Sequence, residues 1–217
     1  MGTKIIIVED HPLMQKGIEM TLDAEMDFEV VGAAVSAEQA LEFVSKVNPD
    51  LAIIDISLPG MNGIELIKHF RTHDPDLLML VVSRHDEELF AERAIRAGAR
   101  GYIMKMQAGE QLVEAVRKIL KGGFFLSDKM SNKILMEMVS GGPGRKAASP
   151  YERLSDRELE VFRMIGQGKA TRDIARRLHV SSKTIDSYKA RIKEKLNIGN
   201  SSNLLQEAVQ WVKEREM

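Results

Sequence analysis

The stretch from Asp50 to Gly63 constrains the fold of this chain more than any other part of its sequence. It begins with a short apolar run, which ends in the carboxylate of Asp55 and is followed by the turn-forming pairs Pro59-Gly60 and Asn62-Gly63. An apolar run of this length is typical of a strand that is buried on both faces of a parallel sheet. Because ligands of open α/β sheets bind at the carboxyl ends of the strands, the stretch predicts that Asp55 lies where chemistry takes place.

Apolar runs of similar length recur along the first 125 residues and alternate with segments whose apolar residues have helical spacing. The predicted strands are Lys4–Val8, Phe28–Val35, the run ending at Asp55, Leu77–Ser83 and Gly101–Lys105. The predicted helices run from about Pro12 to Ala24, Ala37 to Val47, Gly63 to Thr72, Asp86 to Ala97 and Gly109 to Gly122. This alternation predicts an α/β domain with a doubly wound, five-stranded parallel sheet covered by helices on both faces.

The pattern changes after residue 125. One further helix is predicted from Lys129 to Val139, and Ser140–Pro150 then lacks apolar periodicity and is rich in glycine, as is typical of a flexible linker. No strand pattern follows this segment. We therefore predict an α/β domain at residues 1–125, a linker helix and flexible linker at residues 126–150, and an all-α domain at residues 151–217.

The C-terminal segment has the signals of four helices. Ser155 with Glu158 three residues later is a capping-box signature. The other predicted helices begin at Thr171 as an N-cap, after Ser181 or Ser182, and near Asn200. Two short helices around a tight turn, with a basic second helix, are typical of a helix-turn-helix motif, so the four helices predict a DNA-binding module.

Charge is distributed unevenly although the net charge of the chain is −1. Residues 1–150 contain 17 Lys and Arg against 22 Asp and Glu, whereas residues 169–195 contain 9 basic and 3 acidic residues. A basic stretch in an otherwise acidic chain indicates a polyanionic partner for the C-terminal domain. A solvated helical face explains the same charge pattern, so composition alone leaves both interpretations open.

The composition also excludes some classes of protein. The absence of cysteine excludes disulfides and thiolate metal sites, and no apolar run approaches the roughly 20 residues of a membrane span. The N-terminal residues lead directly into a strand pattern, without the features of a signal peptide. We therefore expect a cytoplasmic protein without a membrane partner.

Charged and polar side chains follow four of the five predicted strands. Asp10 follows the first strand, while Asp55, Ser83 and Lys105 end the third, fourth and fifth. Glu9 and Asp10 beside Asp55 crowd three carboxylates together, which requires a cation, and oxygen ligands on rigid strand ends suit Mg²⁺. A carboxylate can act as a nucleophile that forms an acyl phosphate, and Lys105 would neutralise the oxygens of the transferred group.

Each of these residues also has a simpler structural explanation. Asp10 before His11-Pro12 could be an N-cap, and Ser83 could cap the following helix. Lys105 could extend into solvent, and Tyr102 could be an ordinary core residue. Their joint occurrence at successive strand ends favours a functional site.

Together, these motifs resemble those of bacterial two-component response regulators of the NarL/FixJ type. The matching segments are Val8–His11, Asp55–Gly63, Ser83 and Gly101–Lys105, followed by Leu154–Glu158, Ile174–Leu178, Val180–Ile185 and Glu194–Leu196. The resemblance implies a receiver domain with a flavodoxin-like fold, followed by a LuxR-type helix-turn-helix domain. It also implies a regulator whose chemistry is restricted to self-phosphorylation from a phosphodonor and slow autodephosphorylation.

The resemblance assigns a role to each strand-end residue. It implies that Asp55 accepts a phosphoryl group from the phosphohistidine of a sensor histidine kinase. Asp10, Asp55 and the backbone carbonyl of Ser57 would ligate Mg²⁺, with Glu9 acting through water.

The remaining receiver residues are implied to sense the phosphoryl group. Lys105 would pair with it, Ser83 would donate a hydrogen bond to it, and Tyr102 would turn inward as Ser83 moves. This is a two-state element that is biased by a charge of about −2. The family also implies pairing of two copies on a palindromic promoter site in double-stranded DNA, and we expect a homodimer when Asp55 is phosphorylated.

The candidate DNA-contacting residues follow from helical geometry at 100° per residue. Ile185, Ile192 and Leu196 are expected to be buried, and Lys189 leans toward that side. The candidates for DNA contact are Thr171, Ser182, Lys183, Thr184, Asp186, Ser187, Lys189, Ala190 and Arg191. Residues at the start of the helix suit phosphate contacts, whereas Asp186 and Ser187 suit base edges. Alternatively, Asp186 pairs with Arg191 or Lys183 and reads no base.

Two other functions are compatible with parts of the sequence. A haloacid-dehalogenase-type phosphatase also has an aspartate at a strand end, but it needs a second acid two residues later, where this chain has Ser57. A receiver-containing interaction adaptor without DNA binding is the other alternative. The basic excess in residues 169–195 disfavours it.

Overall fold

The computed structural model describes residues 2–139 and 150–216. The chain divides into two compact units, one within residues 1–140 and one within residues 141–217. The predicted flexible linker lies outside the described residues except for Pro150, which begins a short 3-10 turn, Pro150–Arg153. No helix in the described part of the chain is long and apolar enough to cross a membrane.

The first unit contains a five-stranded sheet. Its strands are β1 (Thr3–Val8), β2 (Phe28–Ala34), β3 (Leu51–Ile54), β4 (Leu78–Ser83) and β5 (Gly101–Met104). The strand order is β2-β1-β3-β4-β5, and every neighbouring pair is parallel. This confirms the predicted doubly wound sheet, in which the strand order reverses between β1 and β3 and creates a crevice at their carboxyl ends.

Six helices accompany the sheet within residues 2–139. They are α1 (Pro12–Asp23), α2 (Ala37–Val47), α3 (Gly63–His73), α4 (Glu87–Ala97), α5 (Ala108–Leu120) and α6 (Asp128–Val139). Three predicted strands end one residue early, because Val35 lies just beyond β2, Asp55 lies just beyond β3, and Lys105 begins a 3-10 turn after β5. The Asp55 N–H nevertheless donates to the Val8 carbonyl over 2.9 Å, so the neighbouring strand still holds the backbone of Asp55.

The central strands are apolar because both of their faces are covered. Ile5, Ile7, Ile53 and Leu80 are fully or almost fully buried in one cluster with the inner faces of α1 and α5. Burial of each such side chain contributes about 1.5–3 kcal/mol of transfer free energy. This core fixes the positions of the strand ends, where the polar residues lie.

The loop between β3 and α3 closes tightly over Asp55. Asn62 is the N-cap of α3, and its side chain accepts a hydrogen bond from the Glu65 N–H at 2.9 Å. The Gly63 N–H donates to the Ile56 carbonyl over 2.9 Å, and a Cβ at Gly63 would lie 2.0 Å from the backbone oxygen of Asp55. Glycine is therefore required where the chain turns back past the strand end.

Helix α6 belongs to the first unit because it packs against α4. The Ser127 N–H donates to Glu87 Oε1 over 2.9 Å, Lys129 pairs with Glu88, and Lys133 lies 3.7 Å from Glu92. Met130 in α6 is 1% exposed, so the helix buries apolar surface as well as forming these polar contacts.

The second unit is helical, as predicted. Within residues 150–216 it contains α7 (Asp156–Gly166), α8 (Thr171–Arg177), α9 (Ser182–Lys195) and α10 (Ser201–Glu216). Its core includes Phe162 and Trp211, whose rings meet edge to face at 5.6 Å, and Tyr151 lies against both. The Ser155–Glu158 capping box is present in full at the start of α7.

Of the caps predicted for α8 and α9, one is confirmed and one is wrong. Ser181 caps α9 and accepts the Thr184 N–H at 3.0 Å, which settles the choice between Ser181 and Ser182. Thr171 does not cap α8, because Ala170 occupies the cap position and Thr171 is the first helical residue. The hydroxyl of Thr171 instead accepts a hydrogen bond from Lys189 on α9.

We expect Gly63→Ala to lower the free energy of unfolding by about 3 kcal/mol or more, because the added methyl group meets a backbone atom that cannot move aside. Ordinary overpacking of a core costs about 1–3 kcal/mol. Urea unfolding followed by far-ultraviolet circular dichroism measures the change. Gly17→Ala is the matched control, since its new Cβ enters open space in the middle of α1 and should stabilise the protein by about 0.5–1 kcal/mol. Equal midpoints for the two variants would contradict this account of the loop.

Candidate functional site

Lys105 lies between two buried carboxylates at the carboxyl edge of the sheet. Its Nζ is 2.7 Å from Asp55 Oδ2 and 2.5 Å from Glu9 Oε2. The side chains of Lys105, Asp55 and Glu9 are 6%, 3% and 1% exposed. The structure thus brings together residues from the ends of β1, β3 and β5 that the sequence singled out.

The negative charge at this edge is only partly compensated. Burial raises the pKa of Glu9 above its usual value, the charge of Asp55 raises it further, and hydrogen bonding to Lys105 offsets part of the increase. Asp55 Oδ1 is buried and has no hydrogen-bond partner among the described residues. A buried carboxylate oxygen without a partner is costly, so the site is suited to a further cation or to a transferred group.

Asp10 and His11 extend the cluster toward solvent. His11 Nδ1 lies 2.8 Å from Asp10 Oδ1 and 3.3 Å from Glu9 Oε1. One ligand atom from each of these three residues falls within 4.8 Å of the others, which is compatible with a shared divalent ion. The carboxylate oxygens of Glu9 and Asp10 suit Mg²⁺ and so fit the predicted ion, whereas Asp55 and Ser57, which are also predicted ligands, are not among these three residues.

His85 connects three of the predicted residues and was not identified from the sequence. Its Nε2 lies 2.7 Å from Ser57 Oγ, and its backbone carbonyl accepts the hydroxyl hydrogen of Tyr102 at 2.9 Å. Its backbone N–H donates to Ser83 Oγ over 3.3 Å, and its ring lies 4.5 Å from that of Phe90 on α4. The only sequence signal is its place two residues after Ser83, in the turn that leads into α4.

Ser83 and Tyr102 are both buried, Ser83 completely and Tyr102 at 2% exposure. The hydroxyl of Tyr102 therefore points inward in this structure, toward the turn between β4 and α4. The same turn contacts Ser57, which is two residues after Asp55, and leads into α4.

The exposed face of α9 carries most of the candidate DNA contacts. Ile185 and Ile192 are fully buried as predicted, whereas Leu196 is only partly buried because it lies at the C-cap, where the helix leaves the core. The exposed candidates are Ser182, Lys183, Asp186, Ser187, Ala190 and Arg191, and the half-buried ones are Thr171, Thr184 and Lys189.

Three candidate hydroxyls are already used within the domain. Lys189 donates a hydrogen bond to Thr171 and so ties α9 to the start of α8. Thr184 Oγ1 lies 2.8 Å from Ser181 Oγ, and Ser187 Oγ donates to the Lys183 carbonyl over 3.0 Å. Each of these hydroxyls has a structural role in addition to any contact with DNA.

Asp186 forms no ion pair with Lys183 or Arg191 among the described residues. The alternative in which it serves only to neutralise a neighbour is therefore not seen in this structure. Its carboxylate lies on the exposed face of α9, where it is free to accept a hydrogen bond.

Glu158 fixes the other end of α9. Its Oε2 accepts hydrogen bonds from the Ser155 N–H at 2.7 Å and from Lys195 Nζ at 2.6 Å. Burial raises the pKa of this carboxyl, but the bonds from Lys195 and Ser155 outweigh that effect and leave the pKa below its usual value. The capping box of α7 therefore also orients α9.

These features define a class of protein: a receiver-type α/β domain joined to a helix-turn-helix domain. The sequence matches the family described as "Response regulator receiver domain" over residues 5–117 and "Bacterial regulatory proteins, luxR family" over residues 152–208. The chain belongs to the NarL/FixJ family of two-component response regulators.

Similar proteins span both domains. The transcriptional regulatory protein DegU of Brevibacillus brevis is 31% identical over 98% of this chain and 96% of its own length. The oxygen regulatory protein NreC of Staphylococcus carnosus is 34% identical over 95% and 96%. The solved structure of RcsB from Salmonella enterica serovar Typhimurium, bound to promoter rprA with the phosphomimetic BeF₃⁻, has 28% identity and a TM-score of 0.61, covering 95% of this chain and 98% of that one.

We expect Glu9→Gln to change how stability depends on pH in metal-free buffer. Because the folded-state pKa of Glu9 is raised, this residue contributes stability that is present below its usual value of 4.5 and is lost as the pH rises through its folded-state pKa. The neutral variant lacks this loss, so the difference in urea midpoint should move in favour of the variant as the pH is increased above 4.5. Glu42→Gln, at an exposed position of α2, is the control. Parallel pH profiles for the unsubstituted protein and Glu9→Gln would rule out this effect.

Proposed function

We propose that this chain is a phosphorylation-dependent transcriptional regulator of a two-component system. In this proposal Asp55 accepts a phosphoryl group from a sensor histidine kinase, and the modification promotes dimerisation and binding to promoter DNA in the cytoplasm. The observation that carries the proposal is the 2.7 Å contact between Lys105 Nζ and Asp55 Oδ2 at an edge that also holds Glu9 and Asp10.

The chemical step uses the carboxylate of Asp55 as the nucleophile. The unpartnered Oδ1 attacks phosphorus in line with the P–N bond of phosphohistidine, that bond breaks, and its electron pair returns to the imidazole of the kinase. Lys105 then pairs with the phosphoryl oxygens, and Ser83 turns its hydroxyl to donate a hydrogen bond to them. The oxygen of Asp55 thus becomes part of an acyl phosphate.

A magnesium ion is part of the proposal. Asp10, Asp55 and the Ser57 carbonyl are its proposed ligands, with Glu9 acting through water. The ion, when bound, supplies positive charge that neutralises the oxygens of the transferred phosphoryl group. Burial is the main cause of the raised pKa of Glu9, and the charge of Asp55, which the ion would offset, raises this pKa further.

The switch is proposed to run through the turn that contains His85. When Ser83 moves toward the phosphoryl group, the His85 N–H loses the hydroxyl to which it donates a hydrogen bond. The hydroxyl of Tyr102 donates a hydrogen bond to the backbone carbonyl of the same residue, His85. The phosphoryl group adds a charge of about −1.5 to −2 beside this turn. The turn leads directly into α4, so its rearrangement repositions that helix.

DNA reading is assigned to α9. Ser182, Lys183 and Thr184 are proposed to contact phosphates, and Asp186 and Ser187 to contact base edges. Lys189 with Thr171, together with Ala190 and Arg191, complete the proposed interface. The exposed basic face and the RcsB structure bound to a promoter support this assignment.

Two copies are proposed to act together. RcsB is described as forming dimers bound to DNA, and Leu205 on α10 of this chain is 47% exposed, although it is apolar. A two-fold dimer would place two copies of α9 on successive half-sites of a palindrome.

The phosphatase alternative has little support from the site. The position two residues after Asp55 holds Ser57, whose hydroxyl is engaged with His85, and no second acid occupies that place. The adaptor alternative is disfavoured by the luxR-family match over residues 152–208.

We expect acetyl phosphate with Mg²⁺ to add one phosphoryl group to the protein, detectable by intact mass. Asp55→Asn should abolish the product, because the amide cannot form an acyl phosphate, and chelation of the metal should reduce labelling strongly. Asp23→Asn, at an exposed position of α1, is the control and should be labelled normally. Labelling of Asp55→Asn at the rate of the unsubstituted protein would refute the assignment of the phosphoacceptor.

Two substitutions on α9 should have different effects on DNA binding. Lys183→Ala should weaken binding to all sequences similarly and lower the slope of log affinity against log salt by about one, because one phosphate contact is lost. Asp186→Ala should instead change the preference among operator variants. Fluorescence anisotropy with labelled duplexes measures both, and Lys213→Ala on α10 is the control for loss of charge. An unchanged preference in Asp186→Ala would show that Asp186 reads no base.

A further inference from the structure

Arg84 is an exposed cation immediately beside the proposed phosphorylation site. It follows Ser83 directly and precedes His85, in the turn after β4. No hydrogen bond or ion pair of Arg84 occurs within the described residues, in contrast to Lys105, whose side chain is buried between two carboxylates.

The register of the sheet places Arg84 within reach of Asp55. Ile54 pairs with Val81, so Asp55 is level with Val82 on the neighbouring strand and Arg84 lies two residues further along. With a rise of about 3.3 Å per residue and a strand spacing of about 4.8 Å, the two Cα atoms are on the order of 8 Å apart. The long side chain of an arginine spans such a distance to a group that projects from Asp55.

The charge balance of the phosphorylated site calls for another cation. Glu9, Asp10 and a phosphoryl group on Asp55 together carry a charge of about −4. Lys105 and a bound Mg²⁺ supply +3, which leaves about one negative charge uncompensated. A guanidinium group suits this position because its planar set of N–H donors matches two phosphoryl oxygens at once.

We propose that Arg84 is a second phosphoryl-binding side chain of this site, which contacts the phosphoryl oxygens on Asp55 from the solvent side. The inference rests on the proposed function, since it requires a phosphoryl group on Asp55. Lys105 binds that group from within the sheet edge, whereas Arg84 binds it only once it is present and is otherwise solvated.

The test uses beryllium trifluoride as a stand-in for the phosphoryl group on the full-length protein. Binding at saturating Mg²⁺ is titrated by ¹⁹F nuclear magnetic resonance for the unsubstituted protein, Arg84→Ala, Arg84→Gln and Arg84→Lys. We expect Arg84→Ala and Arg84→Gln to bind about tenfold more weakly, as for loss of one charge-assisted hydrogen bond at a partly solvated site, with Arg84→Lys in between. The difference should shrink at high salt, because an exposed cation is screened.

Two controls separate this inference from the proposed function. Lys121→Ala removes a positive charge at the end of α5 and should leave binding unchanged. This position is far from the site, because the neighbouring Leu120 lines a cavity with Lys4 and Leu78 at the opposite edge of the sheet. Asp55→Asn should abolish binding of beryllium trifluoride, which would show that the probe binds at Asp55.

Equal affinity of the unsubstituted protein and both neutral Arg84 variants would overturn the role of Arg84 and leave the proposed function intact. A tenfold loss that persists unchanged at high salt would also overturn it, since it would indicate a structural rather than an ionic effect. Absence of binding by the unsubstituted protein would refute the phosphoacceptor role of Asp55 and, with it, this inference.

Discussion

The contact of Lys105 with Asp55 and Glu9 is the interaction on which the rest of the first unit depends. Removal of one partner from a buried ion pair costs about 3–5 kcal/mol, because the remaining charge is left without compensation. The pair exists because parallel β1, β3 and β5 end at the same edge of the sheet, and because the apolar core beneath them fixes those ends. Lys105 holds the carboxylates in place, and the unpartnered oxygen of Asp55 remains available for chemistry.

In the second unit, buried apolar residues and charged hydrogen bonds hold an exposed helix in position. A recognition helix must expose polar residues on one face and still be held rigidly by the other. Ile185 and Ile192 form the buried face of α9. Glu158 accepts a hydrogen bond from Lys195 at the C-terminal end of this helix, and Thr171 accepts one from Lys189 in its middle. Two lysines of a basic helix are thereby used for positioning, which leaves Lys183 and Arg191 as exposed cations on that helix.

Most of the architecture could be predicted from the sequence because it follows from periodicity. Apolar runs and helical spacing gave the strands, the helices and the strand ends that carry Asp55 and Lys105. The sequence could not show which side chains form hydrogen bonds with one another. His85 was not identified because its role arises from three contacts formed across the fold. Thr171 was predicted to be a cap because no local signal indicates that its hydroxyl accepts a hydrogen bond from Lys189. Residues 140–149, predicted to be a flexible linker, lie outside the described part of the chain.

The attachment of α6 to α4 has a consequence for how durable the coupling between these helices is. The lysines that pair with Glu88 and Glu92 are solvent-exposed, so ions in the surrounding medium weaken those pairs. Met130 is buried, and apolar contact does not fade as ionic strength rises. The apolar part of this attachment therefore persists at ionic strengths that weaken the two ion pairs.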